Sequence, residues 1–562
     1  MRKDKLFTLC ASSNLLEPNA CWNRLKNTCN LSFESYGELI SPLLKKKDTG
    51  FIFVLFLEDL INNIDGTSEI LQNKYNSFVQ GLEKRAISSD EPIIICIATN
   101  HDENILSNIR QSSNIKNFYK WLMNELSILR DNYKSIYLLD LNEIFYPFGS
   151  KEIFSDRNWY FARCRLSVKG LNILTDALLQ VINRFSNAAS KVLVLDCDNT
   201  LWGGIVGEDG LRGIILGQDG IGTAYVDFQK EIIKLENNGI IIVLASKNND
   251  KDVWEVFDKH SDMYLKREHI VTSKINWNEK AFNLQEVAKE LDLGLDSFVF
   301  WDDNPLERDK MRTLLPQVLT VDVPNDILKW PRLLRTINCF AKFNVTAEDK
   351  KKSNQYKSRA KFINDLKGVD DIKTYLTSLN LSPETFQLNE TNIARAEQLC
   401  IKTNQFNVRT KRHTAADLQN LKKDDQDFVF LVKLRDKYGD HGIVSLVCLS
   451  KIDDDLIFLD TFLMSCRVLG RHLEAWILSE IVKRIKKKNA KFLIAEFVDT
   501  KRNSLALQFL NTYGFEKVIK GSDLSRKINS NELNTKGTIY CLDVKDLVIP
   551  NLEIYGVSKN ES

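Results

Sequence analysis

The chain has 562 residues, of which 43% are hydrophobic and 27% charged, and its 77 basic and 75 acidic side chains give a formal net charge of +2. At roughly 100–200 residues per domain, this is an ordinary globular balance for three or four domains. So even a charge argues against nucleic-acid binding, which needs a marked basic surplus, and no run approaches the ~20 apolar residues of a membrane span. The 11 cysteines are scattered without a CxxC pair, which predicts free thiols in a reducing cytoplasm rather than a disulfide framework. The apolar run within Met1–Ala11 is too short for a signal-peptide core.

Along the chain, Phe51–Leu57, Pro92–Ala98 and Ser135–Leu139 read as buried parallel strands, with helical patterns at Phe118–Leu129 and Leu171–Phe185. The small, polar Ser186–Ser190 closes a first α/β domain, residues 1–188. A second block, 189–342, alternates strands and helices. It runs Lys191–Asp196, Thr223–Asn237, Ile240–Ala245, Lys251–Lys259, Lys280–Leu291, Ser297–Trp301, Pro305–Leu314 and Gln317–Val321. This alternation predicts a doubly wound parallel sheet. Residues 343–372 are charged and predict a linker or exposed helix. The last block, 373–562, has strands at Phe428–Leu434, Gly442–Ser450 and Leu456–Met464, a long helix Leu473–Lys486, strand Phe492–Phe497 and helix Ser504–Tyr513. That is an α+β pattern.

The chemistry concentrates in the second block. Leu195-Asp196-Cys197-Asp198-Asn199-Thr200 sits where a buried strand opens into a Gly-rich stretch. In an open parallel sheet, ligands bind beyond the carboxyl ends of the strands. Of two acids two residues apart, one can attack phosphorus and the other can protonate the leaving oxygen and then activate water. Ser246 follows a strand, Lys280 opens a helix, and Asp302 and Asp303 end a strand. A hydroxyl and an ammonium suit phosphate oxygens, and clustered carboxylates beside phosphate imply Mg2+.

This ordered set resembles the four motifs of the HAD (haloacid dehalogenase-like) superfamily. The resemblance implies that Asp196 is the nucleophile and Asp198 the general acid/base. It further implies that Ser246, Lys280 and Thr200 bind phosphate. Magnesium would take Asp196, the Asp198 backbone carbonyl, and Asp302 or Asp303. Between the first motif and Ser246 there is room for a flap and one helix but no large cap domain. The longer strings Asp196–Gly210, Asn276–Lys280 and Phe300–Arg308 are similar to the FkbH-like branch of HAD subfamily IIIC. That branch implies a glyceryl transferase/phosphatase, which takes 1,3-bisphosphoglycerate, releases phosphate and loads a glyceryl unit onto the phosphopantetheine thiol of an acyl carrier protein. Cys197 and Cys466 are the candidate acyl-carrying thiols, and for Cys197 the side chain is expected to point away from Asp196 and Asp198. The alternatives are a phosphatase acting on a small phosphomonoester or sugar phosphate, and a biosynthetic scaffold.

Both flanking blocks carry resemblances too. Ser12-Ser13-Asn14 and Asn100 resemble SGNH hydrolases, but Arg165-Leu166-Ser167 stands where that family has its His base, and His101 is the sole histidine before residue 185. The expectation is a non-hydrolytic module. Arg467, Gly470 and Arg471, followed by Asn503, resemble the acyl-carrier motifs of GNAT acyltransferases, with His472 where Gly or Ala is usual. These four residues are the expected pantetheine contacts.

Overall fold

The computed structural model describes residues 5–16, 19–45, 48–61, 68–100, 114–344, 347–367, 371–403, 405–424, 426–501, 503–519, 537–545, 547, 549 and 552–555. His101 lies outside the described residues. The chain forms two compact units, Met1–Ala188 and Ala189–Ser562. It is a multidomain α/β protein with two parallel five-stranded sheets and a mixed sheet.

The first unit holds β1 (Leu6–Ala11), β2 (Asn30–Phe33), β3 (Gly50–Phe56), β4 (Ile93–Ala98) and β5 (Ile136–Asp140). They pair in parallel in the order β2-β1-β3-β4-β5. Every residue of β3 and β4 is buried, which is why these strands read as unbroken apolar runs: helices cover both faces. The sequence reading missed β1 as a strand and β2 altogether. β2 is half-exposed at the sheet's edge, and its Asn-Leu-Ser-Phe carries no strong apolar signal.

In the second unit β6 (Val192–Leu195), β7 (Ile241–Ser246), β8 (Ile270–Ile275), β9 (Phe298–Trp301) and β10 (Leu319–Thr320) form a second parallel sheet, in the order β10-β9-β6-β7-β8. The chain winds outward from β6 through β7 and β8, then returns to the other side of β6 with β9. The crevice between β6 and β9 is therefore the topological switch point. β8 was also missed, because its polar Thr272–Lys274 breaks the apolar run. Between β6 and β7 lie a short helix, Val206–Gly213, and one long helix, Gly220–Asn237, with no cap domain.

A mixed sheet follows: β11 (Ser382–Gln387), β12 (Phe406–Asn407), β13 (Val429–Asp436), β14 (Gly439–Lys451), β15 (Leu456–Met464), β16 (Phe492–Phe497), β17 (Glu516–Lys517) and β18 (Thr538–Asp543). Its order is β11-β13-β14-β15-β16-β18-β17, and all of these neighbours are antiparallel except β15 and β16. Those two pair over Leu456–Leu459 and Phe492–Ala495, and then a short segment enters between them. β12 pairs with β15, the Val408 amide donates to the Phe462 carbonyl (3.1 Å), and the Val498 amide donates to the Val408 carbonyl (3.2 Å).

The expected linker or exposed helix at 343–372 is instead a helix with buried faces, Ala347–Lys367. Tyr356 and Ala360, one turn apart, join the core of the second sheet, while Phe362 joins that of the third. Arg359, 5% exposed, donates to the Glu290 carbonyl (3.2 Å) and to that of Cys466. Ile363 and Leu366 also pack against the third sheet's core; the apolar residues gather in the second half of the helix, after the charged Glu348–Lys352, so the start of the segment reads as polar.

Candidate active site

Register brings the site together. Leu195 of β6 lies opposite Leu244 of β7 and Trp301 of β9. Asp196 and Asp302, the next residues, and Ser246, two residues beyond Leu244, therefore emerge at the same edge. Lys280, at the start of the helix Lys280–Leu291, reaches into this edge and is 4% exposed. Its Nζ lies 2.8 Å from Asp196 Oδ1 and donates to Asp302 Oδ2 at 2.6 Å. Burial alone would lower the Lys280 ammonium's pKa; the two carboxylates outweigh it and hold the value above the usual lysine range. The rival cation, Lys274, is bound elsewhere, to Glu290 (2.7 Å) and Glu286 (3.1 Å).

Asp302 is fully buried, and burial, reinforced by the charge on Asp196, pushes its carboxyl well above the ordinary range. Asn304 caps the helix Pro305–Leu314, and its amide donates to Asp302 Oδ1 at 2.9 Å. Arg308, on the same helix, donates to the Asp302 (2.8 Å) and Asp303 (2.7 Å) carbonyls, fixing the turn. Thr200 Oγ1 donates to Asp303 Oδ1 at 3.3 Å. Asp196, Asp302 and Asp303 each present an oxygen within 4.8 Å of the others. Three carboxylates around one ammonium leave a surplus of negative charge in a buried place, and an all-oxygen donor set is what Mg2+ prefers. The residues fit that ion.

Asp198 is held by three donors. Trp202 Nε1 (2.9 Å) and the Val206 amide (3.0 Å) donate to Oδ1, and Asn248 Nδ2 (2.7 Å) donates to Oδ2. Burial raises its carboxyl above the ordinary range, against the pull of the Val206 and Trp202 bonds. The flap that supplies two of these donors is a tight structure. Asn199 has φ +53°, and its Oδ1 accepts from the Gly204 amide at 2.8 Å. Gly204 has φ +93°, and a Cβ there would stand 2.6 Å from the Asp209 carboxylate, so only glycine fits. Trp202 and Asn248 were not singled out from sequence; the one available signal was that Asn248 lies two residues beyond the strand-end Ser246.

The two candidate thiols lie in different places, Cys197 beyond the end of β6 and Cys466 beyond the end of β15. Cys197 is fully buried, and burial pushes its thiol well up despite the Ser246 hydroxyl beside it. Burial also raises the Cys466 thiol. Neither environment favours a thiolate. Arg467, Gly470, Arg471 and Asn503 do not line one open loop. Arg471 is fully buried, donates to Asp436 Oδ2 (2.7 Å) and stacks 4.0 Å from the Phe362 ring. Arg467 is 7% exposed and donates to Gln355. A Cβ on Gly470 would meet the Phe362 ring at 3.4 Å. Asn503 is fully buried and donates to the Asn407 (3.0 Å) and Val498 (2.9 Å) carbonyls. The helix Ala347–Lys367 supplies Gln355 and Phe362, which pack against Arg467 and Arg471, while Gly470 itself stays exposed.

At the carboxyl ends of the first sheet, Arg165 pairs with Asp59 (2.7 Å) and Ser12 Oγ donates to the same carboxylate (3.1 Å). Among the described residues no histidine stands there. No helix among the described residues is long and apolar enough to cross a membrane.

No family model matches the sequence, and no curated protein does. Among solved structures, the chain is similar to the N-terminal part of a Bacteroides fragilis protein, described as containing a phosphatase domain and complexed with Mg. The two are 26% identical with a TM-score of 0.52, over 60% of this chain and 94% of that one. A GNAT-family acetyltransferase from Staphylococcus aureus matches 29% of this chain and 100% of its own at 13% identity and a TM-score of 0.24. An acetyltransferase from Salmonella typhimurium, solved with acetyl-CoA, matches 30% and 97% at 8% identity and a TM-score of 0.22.

Proposed function

We propose that the second unit carries a magnesium-dependent phosphoryl-transfer enzyme of the HAD kind. We propose further that its substrate is an acyl phosphate whose acyl group passes to the thiol of an acyl carrier protein. 1,3-Bisphosphoglycerate and a glyceryl unit are the pair that the FkbH-like resemblance implies. The observation that carries the reading is the convergence of Asp196, Asp302 and Asp303 on Lys280, with Asp198 two residues from Asp196 at the same strand end. The Mg-bound phosphatase domain of the Bacteroides fragilis structure supports it.

In this reading Asp196 attacks the phosphorus of the substrate's phosphate ester, while the carrier thiol attacks the carbonyl carbon of the acyl phosphate and releases its phosphate, because attack on that second phosphorus would leave a carboxylate that cannot acylate a thiol. Lys280, Ser246 and Thr200 hold the phosphoryl oxygens, and Asp198 exchanges a proton with the departing group and then with water. Bound Mg2+ would take Asp196, the Asp198 carbonyl and Asp303 or Asp302, offsetting repulsion between nucleophile and phosphate. Asp303 offers the more open carboxylate, since both Asp302 oxygens already accept, from Lys280 and Asn304. The uncapped site suits a carrier-borne acceptor. A phosphomonoesterase acting without acyl transfer is the second reading, and the placement of Asp198 as proton donor to an alkoxide leaving group supports it directly.

The test is intact-protein mass spectrometry after incubation with Mg2+, freshly made 1,3-bisphosphoglycerate and a holo carrier protein. A glyceryl adduct on the carrier thiol that disappears with Asp196→Asn is expected. Phosphate release with no carrier adduct would select the phosphomonoesterase, and full phosphate release by folded Asp196→Asn would end both readings.

A further inference from the structure

Asp198 touches both the flap and the end of β7, and its two oxygens are treated differently. Oδ1 accepts from Trp202 Nε1 (2.9 Å) and from the Val206 amide (3.0 Å), both within the flap. These two donors fill the directions a carboxylate oxygen offers. Oδ2 accepts one bond, from Asn248 Nδ2 at 2.7 Å.

An asparagine's oxygen and nitrogen are told apart by their partners. Asn248 Oδ1 accepts from the Asn249 amide at 2.8 Å, so its NH2 faces Asp198. Asn248 is 5% exposed, and the next residue is tied in turn by Trp277 Nε1 to Asn249 Oδ1 (3.3 Å). The amide is therefore aimed by its own loop.

We infer that Asn248 is a positioning residue that turns Oδ2 of Asp198, the oxygen with a lone pair still open, toward the leaving oxygen. This rests on the roles given above to Asp196 and Asp198. The step balances as follows. An Asp196 carboxylate oxygen forms a bond to phosphorus; the bond from phosphorus to the leaving oxygen breaks, its electron pair staying on that oxygen; and the proton on Asp198 Oδ2 passes to it. Water then bonds to phosphorus and gives a proton to Oδ2, and the bond to Asp196 breaks with its pair on the carboxylate. The sum is phosphate ester plus water to alcohol plus phosphate.

Positioning differs from mere closure of the flap in what it does to leaving groups. Phenyl phosphate releases a phenol-like group with a pKa of about 10, which needs the proton; acetyl phosphate releases a carboxylate with a pKa of about 4, which does not. The measurement is kcat/KM, which reports on events up to departure of the leaving group, for both compounds with Mg2+, in wild type, Asn248→Ala and Asn248→Leu. The leucine variant keeps the volume without the donor, should alanine fail to fold.

The expected result is a fall of about 30- to 100-fold with phenyl phosphate, at the lower edge of what a general acid contributes, and under about 3-fold with acetyl phosphate. Equal falls on both compounds, or none on either, overturn the inference while leaving the nucleophile reading intact. A folded wild type inactive on both compounds overturns the reading of Asp196 and this inference with it.

Discussion

The protein contains two parallel five-stranded sheets, each with polar residues at its carboxyl edge, and their chemistry diverges there. In the first sheet, among the described residues, Asp59, Glu58 and Asp140 each accept at least two hydrogen bonds from their own surroundings. Asp59 takes Arg165 and Ser12; Glu58 takes Thr99 Oγ1 (2.6 Å) and the Asn100 amide (2.7 Å); Asp140 takes Tyr119 (2.6 Å) and the Asn142 amide (2.9 Å). In the second sheet Asp196 and Asp302 share one ammonium, with a third carboxylate, Asp303, close beside them. Satisfied polar groups rigidify a fold, whereas a surplus of buried charge calls for a cation or a reacting phosphate. Strand-end acids become a candidate active site where several of them converge and their combined charge exceeds that of the cation among them.

The largest test of this contrast is Asp196→Asn. If Asp196 is the nucleophile, as proposed, the change should lower phosphate release by on the order of 10³-fold or more. The melting temperature should hold or rise, because a repelling charge is gone. In the first sheet the same kind of change, Asp59→Asn, should do the reverse. It leaves Arg165 with an uncompensated charge in a largely buried place, for which the cost is about 3 kcal/mol, while phosphate release per folded molecule is unchanged. Urea unfolding and a phosphate assay on both variants check the pair. A first unit that tolerates Asp59→Asn without loss would break the contrast.

How much of this could be read in the sequence differs by region for physical reasons. Fully buried strands are nearly continuous apolar runs, so β3, β4, β7 and β15 were legible within a residue or two, and β15 at both ends. Strands with polar interruptions, such as β8, were not. Asp196, Asp302 and Lys280 were legible because their types and order at strand and helix ends carry the chemistry. The surroundings of Arg467 and Arg471 were not legible for the opposite reason: they are set by the helix Ala347–Lys367, more than 100 residues earlier, whose Phe362 and Gln355 side chains leave no periodic mark. Asn248 was missed because a single asparagine's role depends on which oxygen it faces.

A smaller effect concerns Mg2+ and pH. Burial and the Asp196 charge raise the Asp302 carboxyl to about 7 in the metal-free protein. Between the unfolded value of about 4 and this one, the folded state holds a proton that the unfolded chain does not. Metal-free stability should therefore fall as pH rises through that window, at no more than about 1.4 kcal/mol per pH unit. Mg2+ competes for the same carboxylates and should flatten the slope. Urea unfolding at pH 5 and 7.5, in EDTA and in Mg2+, reads it out. A slope indifferent to Mg2+ would mean that the ion does not sit among these acids.

The smallest expected effect lies just outside the acids. Lys247 Nζ bonds Glu279 (3.2 Å), next to Lys280, and Glu307 (3.1 Å), on the helix after Asp303. It so ties together the loops that follow β7, β8 and β9. Lys310 bonds Glu279 from the other side at 3.2 Å. Partly exposed pairs of this kind are worth under about 1 kcal/mol in stability, so Lys247→Met should barely move the melting temperature. Its effect should appear in kcat, by a few-fold, because small displacements of catalytic groups cost rate more than they cost stability. Steady-state kinetics on the variant separate the two. A loss of several kcal/mol with kcat unchanged would make the clamp a fold element like those of the first sheet, and would move the boundary between the two kinds of strand end closer to the acids themselves.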